Sequence, residues 1–133
     1  MIRTAIHFPG TCNEALMFYE DVFETADKQV EYYHEAPADS GIDYTEETKN
    51  KVMHASMTIS GTPMNFSDMD EQAIVGNMYC LNVFLDSEEK VAEAYQKLRV
   101  GGTVVVELGP QFFSRMYGSI VDRFGVKWQI ICG

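Results

Sequence analysis

An internal repeat with a period of 75 residues constrains the fold of this chain more than any other feature of the sequence. Residues 2–8 alternate between apolar and polar side chains, as a strand does, and the same alternation returns at residues 79–85. His7 and Asn82 occupy equivalent positions in the two segments. The repeat therefore predicts two similar structural units, each built in the same order along the chain.

A predicted helix follows each alternating segment. Thr11 and Glu14 have the spacing of a capping box, and Asp86 and Glu89 repeat that spacing in the second half. Gly101-Gly102 is expected to end the second helix. The apolar stripes of the two helices are made by Ala15, Leu16, Tyr19, Val22 and Phe23, and by Val91, Tyr95 and Leu98.

Three further strands are expected after each helix. They run over residues 28–34, 52–60 and 62–68, and then over residues 103–108, 113–122 and 127–132. The acidic segment 36–50 is a loop of a length that is typical of either a disordered segment or a functional lid. We therefore predict one α+β domain over residues 1–133, with module one at about 1–70 and module two at about 76–133.

The net charge and the cysteine content indicate which partners and which compartment to expect. The net charge of −10 argues against nucleic acid as a partner, because neutralising phosphates needs a basic face. It also disfavours an anionic membrane surface, and no apolar run approaches the length that spans a bilayer. The three cysteines are far apart and odd in number, which indicates reduced thiols. The N-terminus lacks the pattern of a signal peptide, so a cytoplasmic location is expected.

Short motifs along the whole chain resemble one known superfamily. They are Cys12–Leu16, Phe18-Tyr19, Val22-Phe23, Val52–Ala55, Ser67-Asp68, Tyr117–Ser119 and Asp122–Trp128. In their order and spacing they are similar to the vicinal-oxygen-chelate superfamily, which includes glyoxalase I, bleomycin-resistance proteins and extradiol dioxygenases. Within it the chain most resembles the PhnB-like branch, also labelled demethylubiquinone-methyltransferase-like.

The resemblance implies the architecture and the place of a site. It implies two tandem βαβββ modules that form curved mixed sheets around a cavity, with the helices outside. Ligands in metal-dependent members lie on the first and last strands of each module and point inward. The alternation places Ile2, Ile6 and Phe8, and likewise Leu81, Val83 and Leu85, on the helix-packed side. The candidate ligand-binding residues are then His7, Asn65, Asn82 and Gln129, with Phe84 as an aromatic wall.

The donor atoms of these four polar candidates, His7, Asn65, Asn82 and Gln129, argue against a tightly bound metal. One imidazole and three neutral amides are weak ligands for a zinc-, nickel- or iron-type dication. We therefore expect no metal and no other cofactor, and predict a protein that binds an unidentified small molecule in the cavity between the modules. Asn65 can also be out of register, with Phe66 or Asp68 nearby. The alternative is a glyoxalase-type lyase or isomerase with a divalent metal at His7 and Gln129.

His54 is the candidate catalytic residue for a metal-free enzyme. It alternates onto the polar side of its strand, where an imidazole can act as a general base near neutral pH. The competing interpretation is a histidine that hydrogen-bonds to a cross-strand neighbour. Cys12, at a helix start, is expected to have a slightly lowered pKa from the helix dipole.

The branch often carries Trp-Gly-x-Arg where this chain has Phe113-Ser114-Arg115-Met116, so its arginine is displaced by one position or replaced. No glycine-rich nucleotide-binding loop follows a strand, so methyl transfer from adenosylmethionine is not expected. The resemblance implies a homodimer, with exchange of modules between chains as one arrangement.

Overall fold

The computed structural model describes residues 1–133, and the chain divides into two compact units, Met1–Ala73 and Ile74–Gly133. Each unit contains one four-stranded mixed sheet and one 11-residue helix. The predicted order of strand, helix and three strands is confirmed in both halves. Neither helix has the length and apolar character needed to cross a membrane.

The first unit is built from one α-helix and four strands, with a short 3₁₀ helix over Tyr33–Glu35 after the second strand. Its elements are β1 (Ala5–Phe8), α1 (Cys12–Val22), β2 (Thr25–Tyr32), β3 (Val52–Ile59) and β4 (Thr62–Asp68). The strand order is β1-β4-β3-β2, in which β1 and β4 are parallel and the other pairs are antiparallel. Between β2 and β3 the acidic segment forms hydrogen-bonded turns, such as that closed by the Lys49 N–H on the Thr45 carbonyl at 2.8 Å. Its action as a lid stays a prediction.

The second unit repeats this plan. Its elements are β5 (Leu81–Leu85), α2 (Glu88–Leu98), β6 (Thr103–Gln111), β7 (Ser114–Val121) and β8 (Lys127–Cys132). The strand order is β5-β8-β7-β6, with β5 and β8 parallel. The first and last strands of each unit are therefore neighbours in its sheet, although the rest of the unit separates them in sequence.

Each helix covers one face of its own sheet and builds the core there. The buried side of α1 presents Ala15, Leu16 and Tyr19, and that of α2 presents Val91, Tyr95 and Leu98, as their spacing predicts. The helix-side residues of the sheets include Phe8, Ala55, Met57 and Phe66, and Val83, Ile120, Trp128 and Ile130. At Gly118 a methyl group would lie 2.6 Å from the Tyr95 ring, so α2 and β7 approach closely where glycine leaves room.

The first strand of each half starts later than the alternation predicts. β1 begins at Ala5, and Ile2 is 98% exposed, so its assignment to the helix-packed side is wrong. Continuing the Ala5–Asn65 register by two residues sets Pro63 opposite Arg3, and proline has no N–H to extend the ladder. β5 begins at Leu81, which lies opposite Trp128 of β8.

The helix starts also differ from the sequence expectation. Thr11 stands before α1 but makes no side-chain capping bond; instead the Asp68 carboxylate accepts the Cys12 N–H at 2.9 Å. The buried carboxylate arrives from the end of β4 and satisfies a free N–H of the first turn more strongly than a hydroxyl would. For α2 the cap is Ser87 rather than Asp86, with Ser87 Oγ accepting the Lys90 N–H at 3.2 Å.

Candidate functional site

In each unit the sheet side opposite the helix, which we call the helix-free face, carries most of the candidate residues. On the second unit, Asn82 of β5 lies directly opposite Gln129 of β8, which lies opposite Ser119 of β7. Directly opposed residues point to the same side of a sheet, so these three side chains form one row. They alternate with the buried helix-side residues Val83 and Ile130. The row offers two amides and a hydroxyl, all neutral.

On the first unit the equivalent row contains a different residue from the one the sequence indicates. His7 of β1 is exposed and lies opposite Ser67, not Asn65. Asn65 lies two residues away on the same side of β4, opposite Ala5 and Ser56. Its Oδ1 accepts a long hydrogen bond of 3.5 Å from Arg3 Nη1. Ser67 is thus the structural counterpart of Gln129. The predicted residue Asn65 lies two positions before Ser67 on the same side of β4.

His54 of β3 is exposed on the helix-free face of the first unit, between the buried Val52 and Ala55. Across the antiparallel β2–β3 pair it lies opposite Glu31. A carboxylate in that position can orient an imidazole or neutralise it when it is charged. The structure thus places His54 beside a polar cross-strand partner.

An aromatic stripe crosses the helix-free face of the second unit beside the amide row. Phe84 of β5 is 65% exposed and lies opposite Ile131 of β8, which lies opposite Tyr117 of β7. The Phe113 ring packs edge-on against Tyr117 with centroids 5.1 Å apart, and Phe112 packs edge-on against Phe113 at 5.2 Å. Burial raises the pKa of the Tyr117 hydroxyl, so that hydroxyl is protonated at neutral pH.

Asp122 holds the turn that sets the position of Gln129. Its Oδ1 accepts the N–H groups of Phe124 and Val126 at 2.9 and 3.0 Å. Its Oδ2 accepts the indole N–H of Trp128 at 2.9 Å. Trp128 is buried on the helix side, so the next residue, Gln129, points to the helix-free face.

The cysteines and Arg115 lie around these rows rather than in them. Cys80 is exposed, and its thiol lies 3.6 Å from the Asn82 Oδ1. The expected lowering of the Cys12 pKa is wrong: burial, with repulsion from Asp68, raises it to about 12. Arg115 donates to the Cys132 sulfur at 3.2 Å and lies 3.8 Å from Glu88, so its guanidinium is held by β8 and α2.

The donor set of these faces does not fit a tightly held divalent metal. No group of three or more His, Cys, Asp or Glu side chains is arranged to hold an ion. On the strands that carry ligands in metal-dependent relatives, His7 has a serine opposite it, and Asn82 has an amide. Hydroxyls and amides attract a transition metal weakly beside imidazole, thiolate or carboxylate.

Sequence reasoning missed Ser67, Ser119 and Tyr117 as residues of the helix-free faces. Ser119 is almost fully buried and donates to the Trp128 carbonyl at 3.1 Å. The alternation along β7 could have placed Ser119 and Tyr117, because Gly118 between them faces α2. Nothing local to β4 could have paired Ser67 with His7, since that pairing depends on the register of two distant segments.

Comparisons with known proteins agree with this fold. A family model described as 3-demethylubiquinone-9 3-methyltransferase matches residues 1–131. A putative 3-demethylubiquinone-9 3-methyltransferase, the PhnB protein of Bacillus cereus, is 25% identical over 99% of this chain and 98% of its own, with a TM-score of 0.76. Protein PA1353 of Pseudomonas aeruginosa is 24% identical over 99% and 96%, with a TM-score of 0.82. No curated protein matches the sequence.

A more distant likeness links the fold to a metal-binding relative. The fosfomycin resistance protein FosX of Listeria monocytogenes, solved with Mn(II) and a dihydroxypropylphosphonic acid, covers 100% of this chain at 11% identity with a TM-score of 0.64, over 91% of its own length. This likeness shows the glyoxalase-like fold alone. The family model, which matches nearly the whole chain, identifies this protein as a member of the PhnB-like 3-demethylubiquinone-9 3-methyltransferase family.

Proposed function

We propose that this protein binds a small molecule on its helix-free faces without a tightly bound metal ion. The observation that carries the proposal is the pair of neutral amides Asn82 and Gln129, directly opposed on β5 and β8, next to the exposed ring of Phe84. Binding sites for small molecules combine apolar and aromatic walls with a few polar groups that fix orientation. The second unit presents both on one side of its sheet.

The chemistry of the row indicates what kind of ligand it suits. Amide side chains both donate and accept hydrogen bonds, so they can match a carbonyl, a hydroxyl or a ring nitrogen. Phe84 offers a flat surface on which a ring can stack. A flat, largely apolar molecule with polar atoms at its edge is therefore the ligand class that we propose, in the manner of the bleomycin-resistance relatives that the sequence resembles.

A thermal-shift screen of flat heteroaromatic compounds on metal-free protein tests this proposal. A ligand present at about 100 times its Kd stabilises the folded chain by about 2.7 kcal/mol. The variants Asn82→Ala and Phe84→Ala are expected to lose that shift. Gln96→Ala, an exposed amide on α2, is the matched control and is expected to keep it. Hits that shift all four proteins equally would place binding elsewhere and contradict the proposal.

A second candidate function is metal-free catalysis with His54 as general base. The observation that favours it is the position of Glu31 directly opposite His54 on the neighbouring strand. A carboxylate on the neighbouring strand is within reach to orient a catalytic imidazole once substrate is bound. A turnover reaction lost in His54→Ala and reduced in Glu31→Gln, with unchanged melting temperature, would support it. Activity that persists in His54→Ala would remove His54 from the reaction.

We also propose that the protein is a homodimer, since members of the superfamily that it resembles commonly pair. Closed two-fold symmetry is the commonest state of soluble oligomers. Exchange of modules between the two chains is one way to form such a pair, and a side-by-side pair is the other. Light scattering at micromolar concentration tests the stoichiometry, and a monomeric mass would contradict it.

A further inference from the structure

We infer that the helix-free face of the first unit carries a binding site for a small oxyanion, the phosphate or carboxylate group of an anionic molecule. Four side chains form it, and all of them can donate hydrogen bonds: Arg3, His7, Asn65 and Ser67. The inference concerns the first unit alone, so it does not depend on the neutral ligand proposed for the second unit.

The four side chains surround one open position, which is that of Ala5. Ala5 lies opposite Asn65 on β4, and it is exposed. Two residues further along the same strands, His7 lies opposite Ser67. These two pairs are therefore about 7 Å apart along the strands, and the members of each pair are about 5 Å apart. The Arg3 guanidinium lies at the other end of this area, because its Nη1 reaches Asn65 Oδ1 at 3.5 Å.

The donors of this site are not used within the chain. Asn65 Oδ1 accepts from Arg3, which leaves the NH2 group of the amide as a donor without a partner. The Ser67 hydroxyl and the His7 imidazole also make no hydrogen bond within the chain. A guanidinium carries several N–H groups in a planar fork that matches the oxygens of a carboxylate or phosphate. The group therefore offers donors from three directions to one acceptor.

Arg3 differs from every other Lys or Arg of the first unit, because it has no carboxylate beside it. The unit contains 4 Lys and Arg against 14 Asp and Glu. Lys28, Lys49 and Lys51 lie 2.6, 2.6 and 3.7 Å from a carboxylate oxygen. Arg3 instead lies against the amide oxygen of Asn65. In so acidic a unit, an arginine without a carboxylate partner can bind an anion from outside the chain.

The strands that carry the site have no acid on the helix-free face. β1, β3 and β4 contain one acid, Asp68, and its buried carboxylate accepts the N–H groups of Cys12 and Val52 on the helix side. Glu31 is on β2, where it lies opposite His54 of β3. An anion held between β1 and β4 would therefore meet donors on both strands and no carboxylate from either.

The internal repeat shows that this charge belongs to the first unit only. At the offset of 75 residues, Arg3 corresponds to Met78, and His7 corresponds to Asn82. The second unit thus has a thioether and an amide where the first has a guanidinium and an imidazole. This difference favours an anionic group on the first unit and a neutral molecule on the second.

NMR titration of metal-free, full-length protein with inorganic phosphate and with acetate, at constant ionic strength, tests the inference. Saturable shifts of the backbone amides of residues 65–67 are expected, with a Kd on the order of 1 mM, because ligands of few atoms bind weakly. Arg3→Gln should raise that Kd at least about 10-fold, as the loss of a charge-assisted hydrogen bond does. Arg99→Gln, which removes an exposed arginine at the C-cap of α2, is the matched control and should leave the Kd unchanged.

The two probes also distinguish the source of the oxyanion. A lower Kd for phosphate would support the site and assign it to phosphorylated molecules, whereas a lower Kd for acetate would support it and assign it to carboxylates. Shifts that grow linearly without saturation would overturn the inference. Saturable shifts with the same Kd in Arg3→Gln and in His7→Ala would also overturn it. An equal loss of affinity in Arg3→Gln and Arg99→Gln would do so too, because it would reflect net charge alone. Unchanged melting temperatures without anion would show that the variants fold.

Discussion

Replacing Asp122 by asparagine is expected to destabilise the second unit through one defined contact. The asparagine Oδ1 can still accept the two turn N–H groups that Asp122 accepts at 2.9 and 3.0 Å. Its NH2 group, however, takes the place of the Oδ2 that accepts the Trp128 indole N–H at 2.9 Å. Two donors then face each other in a site where the residue is 3% exposed and the indole is 1% exposed.

The expected cost follows from what is lost. A hydrogen bond to a charged group contributes about 1.5–3 kcal/mol, and a buried donor left without an acceptor costs about 1–3 kcal/mol. Because these losses overlap, we expect Asp122→Asn to lower the free energy of unfolding by about 3 kcal/mol. Asp122→Ala, which also frees the two turn N–H groups, should cost at least about 4 kcal/mol.

Urea denaturation of a double-mutant cycle isolates the contact. With Trp128→Phe as background no indole donor remains, so Asp122→Asn should then cost only about 1 kcal/mol, a coupling of about 2 kcal/mol. Asp86→Asn, which removes an exposed charge paired with Lys90 at 3.0 Å, is the control and should cost less than about 0.5 kcal/mol. A coupling near zero would refute the account of this turn.

Two further predictions concern pH and helix starts. The Cys12 pKa is about 12 in the folded chain against an ordinary 9.0, so the unfolded chain loses this proton first as pH rises. The free energy of unfolding is therefore unaffected by this thiol below about pH 9 and falls between about pH 9 and about pH 12, by at most about 1.4 kcal/mol per pH unit. Urea denaturation of wild type and Cys12→Ala across this pH range would measure the fall. An equal dependence of unfolding free energy on pH in both proteins would contradict the assignment. Ser87→Ala should lower the free energy of unfolding by about 1 kcal/mol, because it removes the cap of α2. Thr11→Ala should cost less than about 0.5 kcal/mol, because Thr11 makes no capping bond, and a similar cost for both variants would argue against the observed caps.

The parts of the fold and site that could be predicted depend on local periodicity. Successive side chains of a strand point to opposite faces of the sheet, whereas every third or fourth side chain of a helix lies on the same face. The order of the elements could therefore be predicted from short windows of sequence. The same alternation puts His7, Asn82, Phe84 and Gln129 on the side of their strands away from the buried core, which is where the structure has them. These predictions needed only residues near in sequence.

The rest depends on segments far apart in the chain. The parallel pairing of β1 with β4 joins residues about 60 positions apart, and a two-residue difference in register exchanges Asn65 for Ser67 opposite His7. The start of α1 looked like a capping box, yet the buried Asp68 carboxylate from β4 takes the Cys12 N–H instead. A tertiary contact to a charged group outweighs a local hydroxyl, and no local pattern announces it.

A metal titration of chelator-treated protein, monitored by melting temperature and by metal content after dialysis, tests the central claim most directly. A tightly bound ion would raise the melting temperature by mass action. Our account predicts that nickel, zinc, manganese and iron leave the melting temperature unchanged and that dialysed protein retains far less than one ion per chain. Near-stoichiometric metal with a raised melting temperature, both lost in His7→Ala, would contradict it and indicate a metal-dependent enzyme of the glyoxalase type.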